Sequence, residues 1–291
     1  MTAVPEQLLT PALLRGWALP EPTGGKDARG GVLVVGGARG TPGAVLLAGT
    51  AALRVGAGRL TAAVAGSVAP ALAVAVPESG VLALPEDARG GPHAPVDDDA
   101  LDRELARADV VVVGPGLDEP EGTLTLLRAV AHAAPGRVPV VLDAFALGVL
   151  RDAADVRAAV AGRAVLTPNL TEAAHLLGLD EADGDDLAVR VADEYGVVAA
   201  CAGVVAAPDG RVWRSATGHA GLGTSGSGDV LAGAVGGLVA RGADLAQAAC
   251  FAVAAHGTAG DRLAARVGLL GSLARELVDE LPAVLTELRA R

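Results

Sequence analysis

The chain has 291 residues and 51% of them are hydrophobic, so it can bury a large core and does not belong to the disordered class of proteins. A formal net charge of −11 argues against a nucleic-acid partner, because phosphate backbones require a clustered basic surface. Cys201 and Cys250 lack CxxC spacing and the five histidines are scattered, so we expect buried thiols in a reducing compartment and no protein-held metal site.

Short β-branched runs alternate with longer Ala- and Leu-rich segments along most of the chain. The predicted strands are residues 32–35, 60–64, 110–113, 138–142, 164–166 and 197–198. The predicted helices between them include residues 44–55, 121–133, 170–177 and 186–195. Apolar strands separated by helices are typical of βαβ crossovers. We therefore predict an α/β fold, with a mostly parallel central sheet and helices on both faces, as a single domain over residues 1–291.

Two stretches bear on the location of the protein. The N-terminal segment contains Glu6 and lacks the apolar run of a signal peptide. Residues 60–77 are uncharged and long enough to span a bilayer, but the sequence GSVAP in their middle indicates a strand that ends and a helix that begins. We expect a cytoplasmic protein with no membrane partner.

The last third of the chain has a different pattern. Residues 204–206 and 211–213 flank Pro208-Asp209-Gly210, which predicts a β-hairpin. Helices are predicted over residues 230–240, 245–266 and 272–289, and residues 86–99 are predicted to form a surface loop.

Residues 218–233, GHAGLGTSGSGDVLAG, are predicted to form an anion-binding loop that leads into a helix. Five glycines precede Asp229 in this stretch and allow backbone N–H groups to converge on one ligand. The helix N-terminus adds unpaired N–H donors and the positive end of its dipole. Asp229 is therefore expected to be ionised and able to accept a proton from a nearby hydroxyl. The alternative is that Asp229 only caps the helix.

Other strand ends carry glycine or polar residues. The turn Gly36-Gly37-Ala38-Arg39-Gly40 does not match the G-x-G-x-x-G fingerprint, which argues against a dinucleotide-binding dehydrogenase. Gly114 and Gly116 follow the strand at 110–113, Asp143 follows the next strand, and Thr167-Pro168-Asn169 with Glu172 follows the one after. Because ligands bind beyond the carboxyl ends of parallel strands, these ends predict one pocket.

The motifs TPGAVLLAGTAALRVGAGRL, GPGL, VVLDAFAL, LTPNLTEAAHLLG and GHAGLGTSGSGDVLAG occur in this order. Together they resemble the ribokinase-like superfamily, specifically the NAD(P)H-hydrate dehydratases (the carbohydrate-kinase-like YjeF C-terminal domain). The resemblance covers about residues 30–281 and implies a three-layer sandwich. It also implies that the protein repairs hydrated nicotinamide cofactors. In that family ADP phosphorylates the added hydroxyl, giving AMP, and elimination restores the dihydropyridine, with Mg²⁺ as cofactor and a homotetramer as a common assembly.

The resemblance also implies roles for individual residues. Asp229 matches the catalytic base that contacts the substrate hydroxyl. The positions that match the hydrate site are Ala44, Gly116, Asn169 and Asp143. The positions that match the nucleotide site are Gly226, Ser227 and Gly228 together with Ala199, Ala200, Cys201, Ala202 and Gly203.

The sequence departs from the family at three places. Residues 199–203 replace a Lys-Gly-Ala-x-Thr segment that holds the nucleotide, so a cation at a phosphate site is absent. Asn169 replaces a histidine, and residues 26–30 replace a His-Lys-Gly segment. Two alternatives therefore stay open: a ribokinase-like kinase of a vitamin precursor, and a nucleotide-binding paralogue with weak or no turnover.

Overall fold

The structure is a computed structural model that describes residues 6–21, 23–95, 99–133, 138–181 and 186–289. Its strands are β1 (Gln7–Leu9), β2 (Gly31–Val35), β3 (Arg59–Ala65), β4 (Ser79–Leu84), β5 (Val110–Val113), β6 (Val140–Leu142), β7 (Ala164–Leu166), β8 (Val198–Cys201), β9 (Val204–Ala206) and β10 (Val212–Ser215). They form one sheet in the order β1-β10-β9-β8-β7-β6-β5-β2-β3-β4. Strands β2 to β8 pair in parallel, whereas β9 is antiparallel to both β8 and β10.

Helices cover both faces of the sheet. They are α1 (Pro11–Gly16), α2 (Pro42–Arg54), α3 (Ala69–Ala75), α4 (Ala100–Arg107), α5 (Pro120–His132), α6 (Phe145–Leu150), α7 (Ala154–Val160), α8 (Leu170–Leu177), α9 (Leu187–Tyr195), α10 (Ser227–Ala240), α11 (Leu245–Val267) and α12 (Ala274–Arg289). One core lies between the sheet and α1–α3 with α10–α12, and the other lies between the sheet and α4–α9. Side chains alternate between the two cores, with Val32 and Val34 on one side and Leu33 and Val35 on the other.

The predicted architecture is confirmed: a mostly parallel sheet with a helical layer on each face. The predicted hairpin after β8 is also present, as β9 and β10. Residues 60–77 divide between β3 and α3 as predicted, and none of the helices in the described ranges is long and apolar enough to cross a membrane. Of the predicted loop at 86–99, residues 96–98 lie outside the described residues; Glu86 and Pro92 in the rest form an isolated antiparallel bridge.

Several predicted boundaries of helices and strands were wrong. The helix predicted at 230–240 begins at Ser227, because Gly226 adopts a left-handed turn that starts it before the first apolar residue. The strand predicted at 197–198 extends to Cys201, since an Ala-Ala-Cys run has no β-branched residue to indicate a strand. Sequence patterns also missed β1, β4, α1, α4, α6 and α7, most of them short elements fixed by tertiary contacts.

Helix α10 lies in the interior and touches α2 through its backbone. A Cβ placed on Gly233 would lie 2.0 Å from the carbonyl oxygen of Ala48, and one on Gly237 would lie 2.5 Å from that of Ala52. On the sheet side, a Cβ on Gly236 would lie 2.6 Å from a methyl group of Val112. Glycines on these sides of α10 therefore set how close the helix sits to α2 and to the sheet.

We expect Gly233→Ala to lower the free energy of unfolding by about 2 kcal/mol, because the added methyl group collides with backbone that cannot move aside. Denaturation in urea measures the change. The control is Gly148→Ala in α6, where an added Cβ meets no atom within 4 Å and should leave stability unchanged or raise it by about 0.5–1 kcal/mol. Equal effects of the two substitutions would contradict the close contact between α10 and α2.

Candidate active site

The glycine-rich loop rests on α11, where two glycines leave room for it. A Cβ on Gly257 would lie 2.5 Å from the hydroxyl oxygen of Thr217, and one on Gly260 would lie 2.6 Å from Leu222. The N–H of Gly218 donates to both carboxylate oxygens of Asp261 at 3.1 Å. These contacts hold the loop in front of the carboxyl ends of the strands.

His219 adds a second attachment between the loop and α11. Its Nδ1 accepts the N–H of Gly221 at 3.0 Å, so the ring proton belongs on Nε2, which lies 3.2 Å from the carbonyl oxygen of Gly260. The side chain therefore bridges the loop and the helix with one nitrogen on each.

The loop ends at Gly226, from which α10 begins. Gly226 has φ 87°, and a Cβ there would lie 2.5 Å from Leu47, so no other residue fits without strain. The N–H groups of the first turn of a helix have no acceptor within the helix, and they carry the positive end of its dipole. Ser227 and Gly228 in this turn line an open cavity, which is the arrangement that binds phosphate.

Asp229 lies in the same first turn and is partly buried. Burial and, to a smaller extent, the nearby charge of Glu172 raise its pKa to about 6. The expected stabilisation by the helix dipole is therefore outweighed by desolvation. The carboxylate form still predominates at neutral pH, so Asp229 can act as a base, with a pKa close to the working pH as general bases require.

Asp143 occupies a buried position at the end of β6. The Thr167 hydroxyl donates to its Oδ1 at 2.7 Å. Burial raises the pKa of Asp143 to about 7, against the effect of the Thr167 hydrogen bond, and the charges of Asp229 and Glu172 also raise it. Ala144, which follows, has φ 49°, a conformation that is costly for a residue with a side chain.

Asn169 and Glu172 form a capping box at the start of α8. The Asn169 side-chain oxygen accepts the N–H of Glu172 at 2.9 Å, and a Glu172 carboxylate oxygen accepts the N–H of Asn169 at 2.8 Å. Burial raises the pKa of Glu172. Asn169 therefore has a structural role in addition to the binding role that the sequence predicts for it.

Ala44 and Gly116, both predicted to contact the hydrate, meet at the start of α2. The Thr41 hydroxyl donates to the carbonyl oxygen of Gly116 at 2.8 Å, and a Cβ on Gly116 would lie 3.1 Å from that of Ala44. Gly114, in the turn after β5, has φ 128° and lies against the backbone of Asp143. A Cβ on Gly114 would lie 1.8 Å from the Asp143 carbonyl oxygen. The structure therefore brings together the predicted residues at three neighbouring segments: the start of α2, the turn after β5 and the end of β6.

A cavity of about 750 Å³ lies between the glycine-rich loop, β8, α8 and α11. The predicted nucleotide residues that line it are Ala200, Ala202, Gly203, Ser227 and Gly228, and Asn169 lines it as well. Ala199 and Cys201 do not line it, because alternate residues of β8 point to the opposite face of the sheet and pack in the core beneath α4–α9. Among the residues that the structure describes, this lining includes no lysine or arginine.

His256, which sequence reasoning missed, lies in this cavity beside Ser227. Its Nε2 is 2.9 Å from the Ser227 hydroxyl oxygen and 3.1 Å from the Ser227 carbonyl oxygen. Burial lowers the pKa of His256 to about 4, so the ring is neutral at physiological pH. The partners are 29 positions apart in the chain, so no local pattern predicts this pair.

Comparisons with known proteins agree with this geometry. A family profile described as NAD(P)H-hydrate dehydratase matches residues 32–283. The chain belongs to the NAD(P)H-hydrate dehydratase family. It is 44% identical over 296 aligned residues to the ADP-dependent (S)-NAD(P)H-hydrate dehydratase of Xanthomonas campestris pv. campestris, covering 99% of each chain. It is 40% identical to the bifunctional NAD(P)H-hydrate repair enzyme Nnr of Moorella thermoacetica, of which it spans 54%.

Among solved structures, the chain is similar to the ADP/ATP-dependent NAD(P)H-hydrate dehydratase of Bacillus subtilis, crystallised with ATP and Mg²⁺. The TM-score is 0.78 at 27% identity, and the match covers 98% of this chain and 100% of the other. A ribokinase-like superfamily protein from Enterococcus faecalis gives a TM-score of 0.83 at 21% identity and supports the fold alone. The ribokinase-like fold expected of this dehydratase family is thereby confirmed.

We expect Asp143→Asn to stabilise the protein more at pH 8 than at pH 4. The carboxyl has a pKa of about 7 in the folded protein against 3.8 as its ordinary value, so the folded state binds the extra proton between these pH values. The stability that this proton contributes is present below pH 3.8 and lost as pH rises through 7. Asparagine keeps an acceptor for Thr167 without the charge.

The gain at pH 8 is at most about 4 kcal/mol, because one pKa unit corresponds to about 1.4 kcal/mol. Melting temperatures of the two proteins at both pH values measure it. An equal gain at pH 4 and pH 8 would show that the Asp143 carboxyl is not held above its ordinary pKa.

Proposed function

We propose that this protein is an ADP-dependent NAD(P)H-hydrate dehydratase, a lyase that restores NAD(P)H from its hydrated form. The observation that carries the proposal is the position of Asp229 in the first turn of α10, where a base adjoins a phosphate-binding helix terminus. The name and whole-length similarity of the Xanthomonas relative support it. ADP as the nucleotide comes from that relative's name.

The chemistry requires two stages. Asp229 accepts the proton of the hydrate hydroxyl as that oxygen attacks the terminal phosphorus of ADP, and the bond to the remaining phosphate breaks so that AMP leaves. The bond between the ring carbon and the phosphate oxygen then breaks and inorganic phosphate leaves. The proton of the adjacent ring carbon passes to that phosphate or to water, and the electron pair of its C–H bond forms the ring double bond. Phosphate is a far better leaving group than hydroxide, which is why the nucleotide is consumed.

ADP is assigned to the cavity of about 750 Å³ between the glycine-rich loop and α8. The N–H groups of Ser227 and Gly228 would face its terminal phosphate. Ala200, Ala202 and Gly203 form its wall on the side of β8 and supply no cation, so the phosphate charge must be balanced by backbone donors and a metal ion. His256 fixes Ser227 through two contacts and thereby the orientation of this turn.

Mg²⁺ fits as a partner of ADP rather than of the protein alone. Among the described residues no group of three His, Cys, Asp or Glu side chains is placed to hold a metal. Mg²⁺ at nucleotide sites usually takes phosphate oxygens and waters with one or two carboxylates. Glu172, which lines the neighbouring cavity beside Thr171, would supply such a carboxylate. The ion would neutralise phosphate charge during transfer.

The hydrate is assigned to the space bounded by Ala44, Gly116, Asn169 and Asp143. We also propose a cytoplasmic homotetramer in which residues 1–291 form a single domain. The family resemblance supports the assembly, the continuous sheet supports the single domain, and two free buried cysteines fit a reducing compartment. Sedimentation of the purified protein tests the assembly.

Asp229→Asn is expected to lower kcat at least about 1000-fold, because the hydroxyl proton has no acceptor, while binding of ADP stays within about threefold of wild type. The assay follows the absorbance of the reduced cofactor with ADP, Mg²⁺ and NADH hydrate. Asp193→Asn, an exposed position on α9, is the matched control and should retain full activity. Absence of turnover by the wild-type protein would refute the function. ATP-dependent phosphorylation of a thiazole or pyrimidine alcohol would instead favour a vitamin-precursor kinase.

Glu172→Gln is expected to move the acidic limb of the kcat/KM profile to lower pH by roughly half a unit. The Glu172 charge contributes to the raised pKa of Asp229, so removing it lowers that pKa. Glutamine removes the charge but retains an oxygen that accepts the N–H of Asn169. The measurement is the midpoint of the profile, which does not depend on the absolute rate. A midpoint that stays near pH 6 would show that Glu172 does not act on the base.

A further inference from the structure

A second large cavity, of about 840 Å³, lies between α5, α6 and α8. Its walls are mostly apolar, with Leu117, Leu124, Phe145 and Val149 among the lining residues. It lies on the helical layer opposite α10, and it shares Thr171 with the cavity assigned to ADP.

The cavity continues the space proposed for the hydrate. Leu117 follows Gly116, Ala144 follows Asp143, and Thr171 and Glu172 lie in the first turn of α8 after Asn169. Three predicted hydrate-site residues therefore have chain neighbours in its wall. A ligand whose reacting end lies at Asp229 can extend its other end into this cavity.

Phe145 is the aromatic residue of this lining and is only partly buried. Phe251 is buried in the opposite core, and Trp17 and Trp213 stack on each other. In a chain with 2% aromatic residues, a partly exposed ring in a cavity is a candidate stacking surface for a planar ligand.

The charge of the cavity is negative. Glu121, Asp152 and Glu172 line it together with His175, and the lining includes no lysine or arginine within the described ranges. A phosphate group here would meet three carboxylates against one imidazole and would lose its hydration without a permanent cation in return. An uncharged group with a planar ring matches this lining better than a phosphorylated one.

We propose that this cavity binds the adenosine half of the hydrated cofactor, with Phe145 stacked on the adenine, and that its carboxylates make NADH hydrate the preferred substrate over NADPH hydrate. The inference rests on the proposed dehydratase function. The hydrated nicotinamide ring must lie at Asp229 for its hydroxyl to react, so the adenosine end occupies the outer cavity. NADPH differs from NADH by a 2′-phosphate on that end.

The first test measures KM and kcat with NADH hydrate at saturating ADP. Phe145→Ala is expected to raise KM for the hydrate about tenfold, since stacking of a base on an aromatic ring is worth that much, with kcat and KM for ADP unchanged. Phe145→Trp should keep the KM for the hydrate near the wild-type value. Phe145→Leu retains a large apolar side chain but removes the aromatic ring, so it separates the effect of side-chain volume from that of stacking. A KM for the hydrate unchanged in both Phe145→Ala and Phe145→Leu would overturn the proposal.

The second test compares the two hydrates. The wild-type protein is expected to show at least a roughly fivefold higher kcat/KM for NADH hydrate, and Asp152→Lys should reduce this ratio, because it places a cation where the 2′-phosphate would lie. Asp193→Lys, with the same charge change on an exposed face of α9, should leave the ratio unchanged. A ratio that does not change in Asp152→Lys, or that changes equally in both variants, would overturn the assignment.

The proposed dehydratase function and the proposed adenosine site can be refuted separately. Absence of turnover with either hydrate would refute the dehydratase function itself. Normal turnover with an unaltered KM in the Phe145 variants would refute only the place of the adenosine. Thermal melting of each variant identifies any that fails to fold, and the Phe145→Trp and Asp193→Lys proteins then serve as the folded comparisons.

Discussion

The close approach of α10 to α2 is the contact on which the rest of the structure depends. Gly233 and Gly237 allow the two helices to touch through their backbones, and this fixes α10 in the interior with its first turn at the carboxyl ends of the strands. The Ala-rich helices and the aromatic-poor core also favour close helix packing, because small side chains allow the elements to approach each other over a large area. The position of Asp229 follows from that packing.

Two physical effects act on the base in opposite directions. The helix terminus favours the carboxylate, while burial and the neighbouring Glu172 favour the protonated form, and the second pair determines the raised pKa of Asp229. The pKa of Asp143 is raised even more, to about 7. Three carboxyl groups in one site destabilise the folded protein at neutral pH. Retaining them is consistent with a function that requires proton transfer at this place.

The two large cavities differ in the chemical groups that their linings suit. One is framed by N–H donors and small residues and suits the phosphates of a nucleotide. The other is mostly apolar, and its lining includes acidic residues and the Phe145 ring. Among the described residues neither lining includes a lysine or arginine, so the proposed phosphate binding relies on the helix terminus and on Mg²⁺. Thr171 at the start of α8 lines both cavities, and the next residue, Glu172, lines the second.

Local patterns in the sequence determined the alternation of strands and helices, the glycine-rich loop and the identity of Asp229 as a candidate base, because periodicity and glycine content act over a few residues. Packing determined several features that local patterns did not. These are the start of α10 at Ser227, the face of the sheet to which each residue of β8 points, and the short elements β1, β4 and α6. Only the tertiary structure paired His256 with Ser227, raised the pKa of Asp229 and opened the cavity beside Phe145. Each of these arises from residues far apart in the chain, and desolvation is a property of the assembled site rather than of any segment.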